Sequence, residues 1–347
     1  MAFLQRIVAS GFLGALFLVA GLFASVPPGY AQEVNVYSAR QEALIKPILD
    51  EFTTKTGIKV NLLTGDADIL LKRLQVEGTN SPADVFLTVD AGRLHRAKQA
   101  GVLQAIESPV LNQAVPAAYR DPQGYWYGLS LRARVIVYAK GRVHAEELST
   151  YEALADPVWQ GKLCIRSSSN IYNQSLVASM IAHNGVDETE VWASGLVENF
   201  ARPPQGGDRD QIKAVTAGQC DVALVNTYYL AKMLTSDQAA ERTAGSGVTV
   251  FWPNQAGRGV HVNVSGAGVT RSAKHLEAAI LLLEFLASVE AQAWYAEKNH
   301  EYPVRSTVKP SATLRDWGDF SPDSLNLEVL GQNNSRAVRL MDRAGWR

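Results

Sequence analysis

The chain has 347 residues, 47% hydrophobic and 19% charged, with 33 Lys and Arg against 34 Asp and Glu and a formal net charge of -1. This composition excludes a disordered chain, and a near-neutral balance without a basic block speaks against nucleic acid as a partner. Two Cys and six His exclude zinc clusters, iron–sulfur centres and disulfide scaffolds, but leave open a metal bound through oxygen, and 12 Tyr are present.

Residues 1–31 read as a targeting segment. Arg6 supplies a positive start, and an apolar run follows from Ile7 to Val26. Pro27 and Pro28 then break the run, and Gly29 and Ala31 stand at the -3 and -1 positions of a cleavage after Ala31. The run is also long enough for an uncleaved anchor; the proline pair and the small residues favour a cleaved signal. No later segment reads as a span, since 278–287 is short and interrupted by Glu284. The protein is therefore expected to be exported to a compartment where disulfides form. Cys164 and Cys220 are then either a redox or metal thiol pair or a disulfide staple within one lobe.

The length suggests two lobes, and the elements alternate accordingly. Val34–Ser38 reads as a strand, and Gln41–Thr56 as a helix with Leu44, Ile48 and Phe52 on one stripe and Gly57 as its stop. Ile58–Leu63 is the next strand. Asp66 or Asp68 can cap a helix that ends at Gly78, and Asp84–Leu87 is a third strand. Strand–helix alternation predicts parallel sheets with helices on their faces. Leu129–Tyr138 is a long β-rich run able to carry the chain between lobes.

A second α/β block follows. It has a strand at Lys162–Ile165, helices at Ile171–His183, Asp187–Phe200 and Asp208–Ala217, a strand at Asp221–Val225 and a helix from Thr227. Val260–Val264 reads as a strand returning to the first lobe, and Ser265–Gly268 as a turn. Ser272–Asn299 reads as one long amphipathic helix, with a last helix near Ser335–Ala344.

No phosphate-binding loop, dinucleotide fingerprint, HExxH or GxSxG motif is present, so enzyme readings have no motif behind them. Ligands of open α/β sheets bind at the carboxyl ends of strands. Three segments sit there. Asn226-Thr227-Tyr228-Tyr229 directly follows a strand, with Thr227 as a candidate cap. Both phenols can face the positive end of the helix, which favours anions, phenolates included; the alternative is aromatic packing with surface hydroxyls. Ser167-Ser168-Ser169-Asn170-Ile171-Tyr172 offers hydroxyls, an amide and a third phenol, or simply a helix cap. Arg40, Arg132 and Arg134 lie where a cleft-facing guanidinium clamps an anion, or where surface ion pairs form.

These residues, with Tyr37-Ser38-Ala39-Arg40-Gln41 and Ser81-Pro82-Ala83-Asp84-Val85-Phe86, resemble the periplasmic ferric-iron-binding proteins, the bacterial transferrins. The resemblance covers essentially the whole mature chain. It implies the type II periplasmic-binding-protein fold: two α/β lobes joined by hinge strands, with the ligand in the interlobe cleft. The lobes are expected at 32–131 plus 257–306 and at 132–256 plus 307–347. Tyr172, Tyr228 and Tyr229 would be phenolate ligands to Fe3+. Where branches of the family carry a His and a Glu, this sequence has Gln41 and Val89. Where another branch has a fourth Tyr, it has Glu42, a candidate carboxylate ligand. A third branch fills the shell with carbonate or another anion held by arginines; Arg40 and Arg132 match that pattern best, Arg134 less well. The implied role is the receptor of an ABC importer, monomeric and delivering iron to an inner-membrane permease, not an enzyme. The alternative is a protein of the same fold for an organic or inorganic anion. Hard oxygen donors suit a hard trivalent ion.

Overall fold

The computed structural model describes residues 33–347, and the signal segment at 1–31 lies outside the described residues. Strand β1 (Glu33–Ser38) runs parallel to both β2 (Lys59–Thr64) and β3 (Val85–Val89). Between β1 and β2, α1 (Lys46–Thr56) starts five residues later than the periodicity predicts. Pro47 fits only a first turn, so Glu42–Leu44 forms a separate 3-10 turn. Ile48, Leu49 and Phe52 are the buried stripe of α1. In α2 (Ala67–Glu77) the cap is Asp66, whose carboxylate accepts the N–H groups of Asp68 and Ile69. Asp90 caps α3 (Ala91–Gln99) with φ 81 and ψ 125, a backbone region that costs a non-glycine residue about 1–3 kcal/mol. A short α4 (Pro109–Ala114) follows.

Strand β4 (Tyr127–Ala139) joins the two halves of the sheet. Up to Ala133 it pairs with β8 (Val262–Val269); from Arg134 it pairs with β6 (Val222–Asn226), and from Ile136 also with β7 (Val248–Phe251). The strand order is β2-β1-β3-β8-β4-β6-β5, with β5 (Leu163–Cys164) at the far edge. This is the two-lobed type II binding-protein architecture, and the chain crosses it more than once.

The predicted turn at Ser265–Gly268 is instead the middle of β8. Its glycines serve close approach: a Cβ would stand 2.5 Å from the Tyr127 carbonyl at Gly266 and 2.4 Å from the Tyr125 carbonyl at Gly268. The two predicted helices of 171–200 form one run, α5 (Ile171–Glu198), broken at Gly185 where φ is 82. Then come α6 (Asp208–Thr216), α7 (Thr227–Leu234) and α8 (Ala239–Ser246).

The predicted single helix at 272–299 is divided. The Ser288 hydroxyl accepts the Ala291 N–H and starts a new helix, giving α9 (Leu276–Leu286), α10 (Val289–Trp294) and a π turn at Tyr295–Asn299. After a short α11 (Ala312–Arg315), α12 (Glu328–Arg343) begins seven residues earlier than predicted and packs on both α5 and α3. Gly331 permits that contact, since a Cβ there would stand 2.2 Å from the His95 Cβ. Lys98 joins the same contact through Asp121 at 2.6 Å and Glu328 at 2.5 Å.

Cys164 and Cys220 form a disulfide, S–S 2.06 Å, between the end of β5 and the residue two before β6. No described helix is long and apolar enough to cross a membrane.

Candidate metal centre

Two turns carry the three tyrosines. Strand β6 is fully buried, ends at Asn226, and leads straight into α7. The Asn226 N–H donates to Asp208 Oδ2 at 2.7 Å, which fixes the turn before Tyr228 and Tyr229. Thr227 does not cap the helix as predicted. It is the first helical residue, and its hydroxyl accepts the Ala133 N–H at 3.4 Å, tying α7 to the crossing strand β4. On the other turn, Asn170 caps α5 by accepting the Tyr172 N–H at 3.1 Å. Asn173 braces the same turn, donating to the carbonyls of Arg166 at 2.9 Å and Ser167 at 3.2 Å.

Arg134 connects the two turns. Its guanidinium donates to Asn226 Oδ1 at 3.1 Å, to Asn173 Oδ1 and to the Leu224 carbonyl. It is 1% exposed, and these bonds make it part of the scaffold that joins the two turns.

The phenols converge. Tyr228 Oη donates to Tyr172 Oη at 3.2 Å, and the Tyr228 and Tyr229 rings lie 4.3 Å apart, tilted by 34°. They line a cleft of about 220 Å³ together with Arg40, Gln41, Val89, Arg209, Lys232 and Glu301. Burial, and then the neighbouring phenols, push the Tyr228 pKa well up against the opposing pull of Arg132. Burial and Tyr172 do the same to Tyr229. Both phenols are therefore protonated until something displaces the proton. A hard, highly charged cation is the kind of species that displaces such a proton.

The guanidiniums divide their work. Those of Arg132 and Arg166 each lie 5.6 Å from the Tyr172 ring centroid. Arg40 lines the cleft but is committed to Glu301 through two bonds of 3.1 Å, and to Ser265 Oγ at 2.7 Å. Arg132 is 2% exposed and gives one bond to Ser265 Oγ at 3.3 Å, while its Nε and Nη2 have no protein partner. Those orphaned donors fit a small anion. Glu42 is exposed on its 3-10 turn and is not among the cleft-lining residues, so the structure does not bring it to the tyrosines. Gln41 and Val89 do line the cleft, but neither is a ligand type that suits a hard trivalent cation.

Sequence reasoning missed Lys232, Arg209, Arg166 and Glu301. Lys232 had a readable signal, since it stands four residues after Tyr228 and so shares its helix face. Burial pulls its pKa down to about 8 although Glu301 opposes the shift. Glu301 lies far along the chain and had none. Among the described residues, no group of three or more His, Cys, Asp and Glu could hold a metal ion.

Residues 80–318 match the family described as bacterial extracellular solute-binding protein. The chain is 50% identical over 320 residues to Iron uptake protein A1 of Synechocystis sp., covering 92% of this chain and 89% of that one. A Trichodesmium protein solved in complex with iron and citrate superposes with a TM-score of 0.89 at 52% identity, covering 91% of this chain and all of that one. The ferric binding protein of Campylobacter jejuni superposes with a TM-score of 0.86 at 38% identity, covering 90% and 100%. The fold and its cleft define an extracellular solute-binding protein, not an enzyme. The chain belongs to that family, within the group that holds the iron uptake and ferric-binding proteins.

Proposed function

We propose that this chain is the periplasmic receptor of a ferric-iron ABC importer. It captures Fe3+ through the phenolates of Tyr172, Tyr228 and Tyr229 and delivers it to an inner-membrane permease as a monomer. The reading rests on the 3.2 Å approach of Tyr228 Oη to Tyr172 Oη, with the Tyr229 ring packed against Tyr228. Three phenolates match the charge of one ferric ion. Arg132, buried with two free donors, supports a synergistic anion such as carbonate, with Arg40 beside it. Residues 1–31 direct export and are removed by cleavage after Ala31. The lobes are assigned to 32–131 plus 257–306 and to 132–256 plus 307–347; the change of partner along β4 at Ala133–Arg134 supports the first boundary. Titration of the metal-free protein with ferric citrate tests the site. A tyrosinate-to-iron absorption band should appear in the visible, and a colourless wild type would sink the reading.

The cationic groups lining the cleft, Arg40, Arg209 and Lys232, favour a second reading, in which the protein binds an organic or inorganic anion and the tyrosines are its walls. Calorimetry with anions in metal-free buffer separates the two, since the iron reading expects no tight binding without metal.

A further inference from the structure

The turn after β3 ends at a residue whose backbone glycine alone adopts without strain. Asp90 has φ 81, and strain of this kind persists where the surroundings over-determine it. Its carboxylate is fully buried and, among the described residues, has no ion-pair partner. Donors from three different elements meet on it instead. Oδ1 accepts the Gly92 N–H of α3 at 2.9 Å and the Ser175 hydroxyl of α5 at 2.7 Å. Oδ2 accepts the Asn263 side-chain amide of β8 at 2.9 Å. The orientation of Asn263 is fixed in turn, because its Oδ1 accepts the Ala91 N–H at 2.9 Å.

The position of this cluster matters. Asp90 directly follows Val89, which lines the cleft. Ser175 stands three residues after Tyr172 and so on the same face of α5. Gly92 lets the two helix starts approach: a Cβ there would stand 3.1 Å from Asp90 Oδ1, 3.6 Å from Ser175 Oγ and 3.7 Å from Ile171 Cδ1.

We infer that Asp90 is a positioning residue for metal capture. Its carboxylate holds the first turns of α5, and with them Tyr172, against the sheet of the first lobe. The inference rests on the reading of Tyr172 as a ligand. The Ser175 hydroxyl is the donor that ties α5 to this carboxylate, so its loss loosens the docking of the Tyr172 turn on the first lobe without removing any ligand. The effect falls on release of iron more than on capture, as is usual when a contact within a formed complex is lost.

The experiment uses the mature chain as wild type, Ser175→Ala, Asp90→Asn and the double variant, with Tyr228→Phe as a site control. Each is loaded with ferric citrate. The decay of the visible band is followed under excess chelator, and the gain in Tm on iron loading is measured. We expect Ser175→Ala to release iron about tenfold faster, with an unshifted band and a smaller iron-induced gain in Tm. The double variant should be no worse than the more severe single one, because both remove the same contact. A Ser175→Ala protein with the wild-type release rate and the full gain in Tm overturns the role of Asp90 alone, as do two effects that simply multiply. A wild type without a band overturns the tyrosine reading and this inference with it. If Asp90→Asn does not fold, Ser175→Ala decides by itself.

Discussion

Tyr228 and Tyr172 meet hydroxyl to hydroxyl at 3.2 Å, although they lie 56 residues apart in the chain and on different helices. Tyr228→Phe keeps the ring against Tyr229 and removes only the oxygen. The folded state should change by about 1 kcal/mol, the worth of one hydrogen bond. Iron affinity should fall by roughly a hundredfold or more, since a ligand of the metal is lost and even outer-shell partners carry 10- to 100-fold. Spectrophotometric iron titration checks the affinity, and urea unfolding of the metal-free protein checks the stability.

Iron binding should also weaken in acid. Tyr228 and Tyr229 are held protonated by burial and by the neighbouring Tyr172, so each must release a proton to become a ligand. Protons compete with the metal, and apparent affinity rises with pH. Proton release on addition of ferric ion, followed by pH-stat in weak buffer, measures the coupling. A pH-independent affinity between pH 6 and 8 would show that the phenols are not the ligands.

Arg134 ties the two tyrosine turns together from the crossing strand, and it is almost wholly buried. Arg134→Met removes the donors for Asn173 and Asn226 and, among the described residues, leaves Asp208 with Arg166 as its one remaining ion-pair partner. A loss of about 3–5 kcal/mol is expected, the scale for breaking a buried charged network. Urea denaturation of the metal-free protein measures it. Stability within 1 kcal/mol of wild type would contradict the scaffold role.

Local pattern gave the strands, the capped helices and the tyrosines at the ends of strands, because each depends on a few neighbouring residues. Asp66, Gly57 and Gly78 acted where the sequence placed them. The misses share another cause. Gly266 and Gly268 look like turn residues, and only the carbonyls of Tyr125 and Tyr127 pressing on them explain a strand. Arg40 lines the cleft, and its pairing with Glu301, far along the chain, has no local sign. Arg134 looked like a cleft residue, and the register of β4 against β6 turns it into the scaffold. Long-range pairing decided each of these, and it leaves no local signature.

The Cys164–Cys220 disulfide closes a loop of 56 residues that contains Tyr172. The Cys164→Ala, Cys220→Ala double variant should lose about 2–4 kcal/mol, chiefly through a freer unfolded chain. Its iron band should be unshifted, because neither sulfur lines the cleft. Urea unfolding and the visible spectrum together check this. A changed band would mean that the bridge shapes the site.

His261 adds a stability term with its own pH window. Burial, then Arg134, Arg132 and Arg258, lower its pKa to about 3, against 6.5 for a free side chain. Above pH 6.5 the ring is neutral in both folded and unfolded chains and contributes nothing. Between pH 6.5 and 3 the unfolded chain takes up a proton that the folded protein refuses. The unfolded state then binds more protons, so stability falls as pH falls, by up to about 1.4 kcal/mol per pH unit. His261→Gln removes that slope and leaves every other titrating group in place. Urea unfolding at pH 7 and pH 4.5 should show wild type losing roughly 2–3 kcal/mol more than His261→Gln over the interval. Equal losses in the two proteins would mean that the folded chain accommodates a charged ring among three guanidiniums, against the order of causes that holds it neutral.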